Sequence, residues 1–413
     1  MKSLPLAFSL LLFLAFTHDS VYAHGNPFAA IEKQNKAGLG VMAVRRLTEV
    51  NLLLEDDLYG ESLVKLEEMV ADDGWSDYES AVIWHTVGYV YNSIENYEKA
   101  VVAYKSGLDL GVLPEMVEEE LLNNIGQLYI QLERYREGIE MLEAWVKTAE
   151  EVPAHIDLLL GMAYYYEKNS TKARHYLKRS LEKTSEPSKS TLQILAGIDV
   201  EAKEFVSAID WLDKGVAYFP KEKYFWIQMG NVYRLMEDHK RATGILAMAN
   251  DAGLLNVDES KYLAQLYRFV GAPIKAAKIA EDVLQKQKVE GNSWHLLLAD
   301  SWLQAKEWGK AASAYEHAGS IGESGEPFVR HAEIAIQNED WETALRSLIR
   351  ALDKGNLKDP GRVTLLAGVA HVQLEDYSAA IKILKKAALY EDAQASAQKW
   401  IQQTQLLQEE KNL

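Results

Sequence analysis

Ten histidines are the first candidates for chemistry in this sequence of 413 residues, because an imidazole near neutral pH can ligate a metal or relay a proton. They form no H-E-x-x-H pair and no cluster with ligand spacing. His85, His295, His331 and His371 recur at helical positions, as packed or half-exposed polar residues do, while His18 and His24 fall near the N-terminus. A G-x-x-x-x-G-K-[ST] phosphate cradle is missing, and Gly38-Leu39-Gly40 is too short to serve as one. Gly322-Glu323-Ser324-Gly325 lacks the spacing of a G-x-S-x-G nucleophile elbow. The acids Asp56-Asp57, Asp72-Asp73 and Glu118 to Glu120 are adjacent in sequence, so on a helix they point apart and decorate solvated faces. Asn169-Ser170-Thr171 is a glycosylation sequon, meaningful only in a host that glycosylates exported proteins. Without cysteine there is no thiol nucleophile, no disulfide and no site for lipid attachment. These residues predict no enzyme, no metal and no cofactor.

The elements that would position any site follow a ruler instead. A small residue recurs about every 34 residues, as Gly88, Gly126, Gly161, Ala196, Gly230, Ala264, Ala299, Ala332 and Gly368. Twelve places after each comes a second: Ala100, Gly138, Ala173, Ala208, Ala242, Ala276, Ala311, Ala344 and Ala380. Units so aligned start near Ala81, Glu119, Ala154, Lys189, Lys223, Val257, Asn292, Gly325 and Gly361, and each reads as two amphipathic helices. The small residues allow two antiparallel helices to cross closely, and Ala242 and Ala311 are expected at such crossings. An aromatic covers the junction at Tyr97, Tyr135, Phe205, Trp308, Trp341 and Tyr377; Ser170, His239 and Pro273 replace it in three units, which should pack less tightly. Asn96, Asn169, Asp238, Glu307, Asp340 and Asp376 fall where a polar side chain can satisfy open helix-end amides. Pro220, and less regularly Pro187, mark the end of a second helix.

Trp84, Val87, Gly88, Tyr91, Ala100 and Tyr104, and again Trp226, Met229, Gly230, Tyr233, Ala242 and Leu246, trace W-x2-L-G-x2-Y followed by A-x3-F. This pattern resembles the tetratricopeptide repeat (TPR) family. The resemblance covers residues 43–390, with a degenerate first unit near Ala43 that carries Val50 at the first small position and Tyr59, Ser62 and Leu66 in its second helix. It implies an all-α, right-handed superhelical solenoid of about ten helix pairs. Residues 391–413 are expected to form a capping helix and tail, with Trp400, Ile401, Leu406 and Leu407 as the apolar residues.

The resemblance further implies that first helices line a concave groove, with the positions one, four, eight and eleven after each unit start facing it. In the units from Lys223 and Val257 these positions give Ile227, Asn231, Arg234, Lys261, Gln265 and Arg268, a cationic patch suited to an acidic or carboxylate-ended segment of a partner protein. Its alternative is ordinary surface, with Arg234 paired to Glu237 or Asp238 and Lys261 to Asp258. A second candidate stretch is His85, Tyr89, Asn92, Asn123, Gln127, Met162 and Tyr165, whose amides and aromatics could grip an extended peptide. Val329, Leu365, Val369 and Val372 are expected to pack against the terminal helix.

Lys2, the apolar run from Leu4 to Phe16 and Val21-Tyr22-Ala23 read as a cleaved export signal over residues 1–23, followed by a leader over 24–42. No other stretch is apolar enough to span a membrane, so no direct membrane insertion is expected. The formal net charge is -17, which disfavours nucleic acid as a partner. Export signal, the leader Asn26-Pro27-Phe28-Ala29-Ala30 through Arg45-Arg46, and the repeats together resemble the periplasmic TPR proteins that accompany TonB, ExbB and ExbD energy-transduction systems in Gram-negative bacteria. That resemblance implies a non-catalytic scaffold in the periplasm beside such a complex. The alternatives are an adaptor in cell-envelope or cell-wall assembly, and a glycan-binding or enzyme-accessory module. Against the last, Trp84, Trp226, Trp308 and Trp341 occupy structural repeat positions.

Overall fold

The computed structural model describes residues 38–286, 289 and 291–411; residues 1–23, expected to be an export signal, and most of the expected leader over 24–42 lie outside them. The described residues contain helices and no strand, and the chain divides into two compact units between Phe219 and Pro220.

The first unit holds five helix pairs. They are α1 (Val41–Glu55) with α2 (Tyr59–Val70), α3 (Asp77–Ser93) with α4 (Tyr97–Leu108), and α5 (Glu115–Gln131) with α6 (Tyr135–Thr148). The series continues with α7 (Ala154–Tyr166) and α8 (Ser170–Glu182), then α9 (Lys189–Glu201) and α10 (Phe205–Tyr218). The second unit repeats the scheme from α11 (Lys223–Leu235) and α12 (His239–Asp251) through α13 (Val257–Phe269) and α14 (Pro273–Lys286). It proceeds with α15 (Ser293–Gln304), α16 (Trp308–Ile321), α17 (Glu326–Gln337), α18 (Trp341–Lys354), α19 (Pro360–Gln373) and α20 (Tyr377–Ala387), and ends on the single helix α21 (Gln394–Lys411).

Close approach is the reason for the small residues. A methyl at Gly88 would stand inside the Tyr104 ring, and one at Gly126 would lie 2.6 Å from Leu142. The second small position is as crowded: at Gly138 the added atom would meet Ile130 at 2.6 Å and the Gly126 carbonyl at 3.0 Å. Ala242 and Ala311 are buried at 1% and 0% exposure, as crossing residues must be. The aromatic positions begin their helices, and so do Ser170, His239 and Pro273 where the aromatic is replaced.

Those replacements do not all loosen the packing. In the unit with Ser170, Tyr164 stacks on Tyr176 with centroids 5.6 Å apart, and the crossing at Gly161 stays tight, 2.6 Å from Leu177. With His239 the equivalent distance, from Gly230 to Leu246, opens to 3.0 Å.

The turns between paired helices share one geometry. Asn96, Asn169, Asp238, Asp340 and Asp376 accept a hydrogen bond from the backbone amide three residues on. Glu307 makes no such bond, and its carboxylate instead faces Lys310 at 3.5 Å. Just ahead of the caps, Glu95, Lys168, Glu237, Lys306, Glu339 and Glu375 hold left-handed backbone, with φ between 56° and 61°. A glycine takes this conformation freely, as Gly271 does at φ 79° before α14.

At the C-terminal end, Trp400, Ile401 and Leu407 of α21 pack, together with Leu365 and Tyr377, against the cluster of Val372, Ala380 and Leu384, while Leu406 faces solvent. Val329 departs from expectation: it joins the cluster of Phe328, Ala332 and Leu348 inside the preceding pair, because α18 reaches it first.

Candidate functional site

The cationic stretch lies on α11 and α13 of the second unit. Asn231, Lys261 and Arg268 are half-buried, and Arg234 and Gln265 are exposed. Their charges are not equivalent. Arg268 approaches Asp300 of α15 at 3.3 Å, its Nε donates to Gln304 at 3.3 Å, and the Gln304 amide donates back to the Arg268 carbonyl at 2.9 Å. Asp300 is in turn fixed by the Tyr315 hydroxyl at 2.6 Å. Arg268 is therefore a neutralised, positioned group.

Lys261 differs. Its ammonium donates to the Ser293 hydroxyl at 2.8 Å and lies 5.9 Å from the Trp294 ring, with no carboxylate in ion-pair range among the described residues. Arg234 likewise has no ion pair there. Asp238 is committed to Arg241 at 3.2 Å and to the amide cap of α12. The pairings of Arg234 with Glu237 or Asp238 and of Lys261 with Asp258 are thus absent among the described residues, and two cations face out of a chain whose net charge is -17. Burial raises the pKa of the neighbouring Tyr262 phenol, and the charge of Arg234 opposes that rise.

The second candidate stretch, in the first unit, comes apart. His85 and Met162 are each only 2% exposed, so neither meets a ligand. The His85 ring packs against Tyr104 at 5.7 Å, and burial pushes its pKa down to about 4. Met162 belongs to the core of α6 to α9, together with Leu159 and Leu177. These residues sit where a first helix turns into its own partner rather than out of the array. The Gln127 side-chain amide donates to the Asn123 Oδ1 at 3.0 Å on α5, and Tyr89, Asn92 and Tyr165 are half-buried. Burial raises the Tyr165 pKa.

Sequence periodicity overlooked Asp300 and Gln304, although Asp300 holds the eighth position of its own unit and reading one unit further would have found it. It also overlooked the exposed apolar residues beside Arg234, namely Leu235, Met236, Tyr262 and Phe269.

His331, His295 and His317 pack against neighbouring side chains. His331 shares a hydrogen bond of 2.8 Å with Ser347, and burial lowers its pKa. His295 and His317 meet edge-on at 4.5 Å beside a cleft of about 530 Å³ floored by Leu298 and Trp302. No group of three or more metal-ligating side chains exists among the described residues, and no described helix is long and apolar enough to cross a membrane.

Family models described as tetratricopeptide repeat match residues 329–397 and 119–151. Among solved structures, YrrB, described as a TPR protein with an unusual peptide-binding site, is 17% identical with a TM-score of 0.37, over 45% of this chain and 91% of its own. Naa15/Naa10 bound to HypK-THB is 14% identical with a TM-score of 0.44, over 89% and 66%. PilF of Pseudomonas aeruginosa is 16% identical with a TM-score of 0.34, over 54% and 97%. No curated protein sequence matches. The chain carries tetratricopeptide repeats at residues 119–151 and 329–397, a fold that generally serves as a non-catalytic scaffold for protein–protein contacts.

Proposed function

We propose that this protein is a periplasmic scaffold that holds an acidic or carboxylate-ended segment of a partner protein on the α11–α13 face, beside a TonB, ExbB and ExbD complex. One observation carries the reading of the face: Arg234 and Lys261 lack a carboxylate partner among the described residues, in a strongly anionic chain. Two desolvatable cations flanked by the amides of Asn231 and Gln265 can take up both a carboxylate and backbone carbonyls. The export-signal pattern of residues 1–23 supports the compartment, and the layout of leader and repeats supports the complex.

The test uses mature protein recovered from the periplasmic fraction, with its N-terminus sequenced. Crosslinked partners are compared between the wild type and the double variant Arg234→Glu, Lys261→Glu. Expected are a chain starting at His24, a component of the energy-transduction complex among the partners, its loss in the variant, and weaker capture at higher salt. Arg268 is left intact, because a carboxylate there would face Asp300 and disturb the fold. Identical partners for both proteins would refute the site, and Met1 on membrane-bound material would refute the compartment.

A further inference from the structure

The cleft of about 530 Å³ beside His295 and His317 is lined by residues of α14, α15 and α16. Two of these, α14 and α16, are the second helices of their pairs, and the cleft shares no residue with the α11–α13 face. Above the apolar floor of Leu298 and Trp302 stand Glu281 of α14, His295 of α15 and His317 of α16. The cation in the lining, Lys310, is already engaged: its ammonium lies 4.3 Å from the Trp302 ring and 3.5 Å from the Glu307 carboxylate. The other three are not. Neither imidazole, nor the Glu281 carboxylate, has a hydrogen bond or an ion pair among the described residues. Other histidines do find a polar neighbour, as His331 does in Ser347 and His371 in Asp376 at 3.6 Å. His295 is half-buried and His317 exposed, so water and ions reach the pair.

We propose that His295 and His317 form a two-imidazole site for a divalent transition-metal ion of tetragonal geometry, best filled by copper(II). The ring spacing carries the choice. Two imidazoles bound about 2.0 to 2.1 Å from one ion hold their ring centres about 4.5 Å apart when the bonds lie at right angles, and about 5.2 Å apart when the ion is tetrahedral. The observed centres are 4.5 Å apart, with the rings tilted by 61° rather than stacked. Neighbouring positions at right angles belong to tetragonal ions, and copper(II) binds nitrogen donors most tightly among the divalent first-row metals. Burial, and after it the charge of His317, holds the His295 pKa below the usual histidine range. Its lone pair therefore stays available at neutral pH without first shedding a proton. Water fills the remaining positions of the ion, and the Glu281 carboxylate adds negative charge to the same cleft. The pair has no sequence signature, because its members lie on successive helices and not one turn apart on a single helix.

The experiment titrates the chain, purified without a histidine tag, with copper(II) chloride in a buffer that does not chelate metals. Binding is followed by calorimetry and by electron paramagnetic resonance, for the wild type, His295→Ala, His317→Ala and the double variant. Subtracting the double variant removes whatever copper the other histidines take up. The expected result is one further equivalent in the wild type, with nitrogen hyperfine structure from two imidazoles, weakened about tenfold or more by either single substitution. Copper should also raise the melting temperature of the wild type above that of the double variant, while the metal-free proteins melt alike. Equal uptake by the wild type and the double variant would overturn the site. A further equivalent showing a single nitrogen, or one that survives either single substitution, would overturn the pairing of the two rings. Tighter binding of zinc than of copper would overturn the tetragonal geometry read from their spacing.

Discussion

Gly161 and Gly230 occupy the same repeat position opposite a leucine, yet replacing each with alanine should move stability in opposite directions. Alanine in place of glycine within a helix gains about 1 kcal/mol before any new contact is counted. At Gly161 the new methyl would lie 2.6 Å from Leu177 Cγ and 3.0 Å from the Leu177 backbone nitrogen. Leu177 is fully buried, so relief requires α8 to shift as a body. Overpacking of that kind costs about 1 to 3 kcal/mol, which leaves a net loss near 1 kcal/mol. At Gly230 the nearest atoms are Leu246 Cγ at 3.0 Å and Cδ2 at 3.1 Å, with the third at 3.5 Å, all in one flexible side chain. A displacement of a few tenths of an ångström suffices there, and a net gain of about 0.5 kcal/mol remains. In units of this size 1 kcal/mol corresponds to about 2 to 4 °C. Thermal melts should therefore separate the variants, and hydrogen exchange in α7 and α11 should place each effect in its own helix. Shifts of the same sign and size would refute the reasoning from crossing distances.

That contrast shows which parts of this protein are legible from spacing. Steric identity is local, so the crossings at Gly88, Gly126 and Ala311, and helix starts at Tyr97, Phe205 and Trp308, follow from residue type and period alone. Quantities set by particular side chains packed nearby do not. Ser170 lacks the covering aromatic, yet the Tyr164–Tyr176 stack restores the packing, and no period contains that pair. Glu307 occupies a cap position without capping. His85 and Met162 take repeat positions assigned to the groove, but Tyr104 and the α6–α9 core enclose them. Arg234 and Arg268 hold the same position in successive units and carry the same charge. What separates them is Asp300, which neutralises Arg268 alone. A repeat pattern assigns equal roles to equal positions, and the individuality that makes a binding face comes from these departures.

The left-handed turns should tolerate glycine better than the residues they hold. Glu237→Gly, Lys306→Gly, Glu339→Gly and Glu375→Gly together should raise the denaturation midpoint. Each relieves about 1 to 2 kcal/mol of backbone strain against about 0.5 to 1 kcal/mol of added chain entropy; a lower midpoint would show that the side chains, not the backbone, decide those positions. The buried imidazole of His85 offers a titration test. Its folded pKa is about 4 against an unfolded value near 6.5, with burial as the cause. The unfolded chain therefore takes up this proton first as pH falls. The contribution of a neutral His85 is complete above pH 6.5 and is lost progressively between 6.5 and 4, a change on the order of 3 kcal/mol. His85→Phe, which keeps a ring against Tyr104, should flatten the stability profile across that window relative to the wild type. In the wild type the His85 ring protons should show no NMR titration above pH 5. A midpoint near 6.5 would mean that water reaches the ring and that α3 presents His85 to the surface after all.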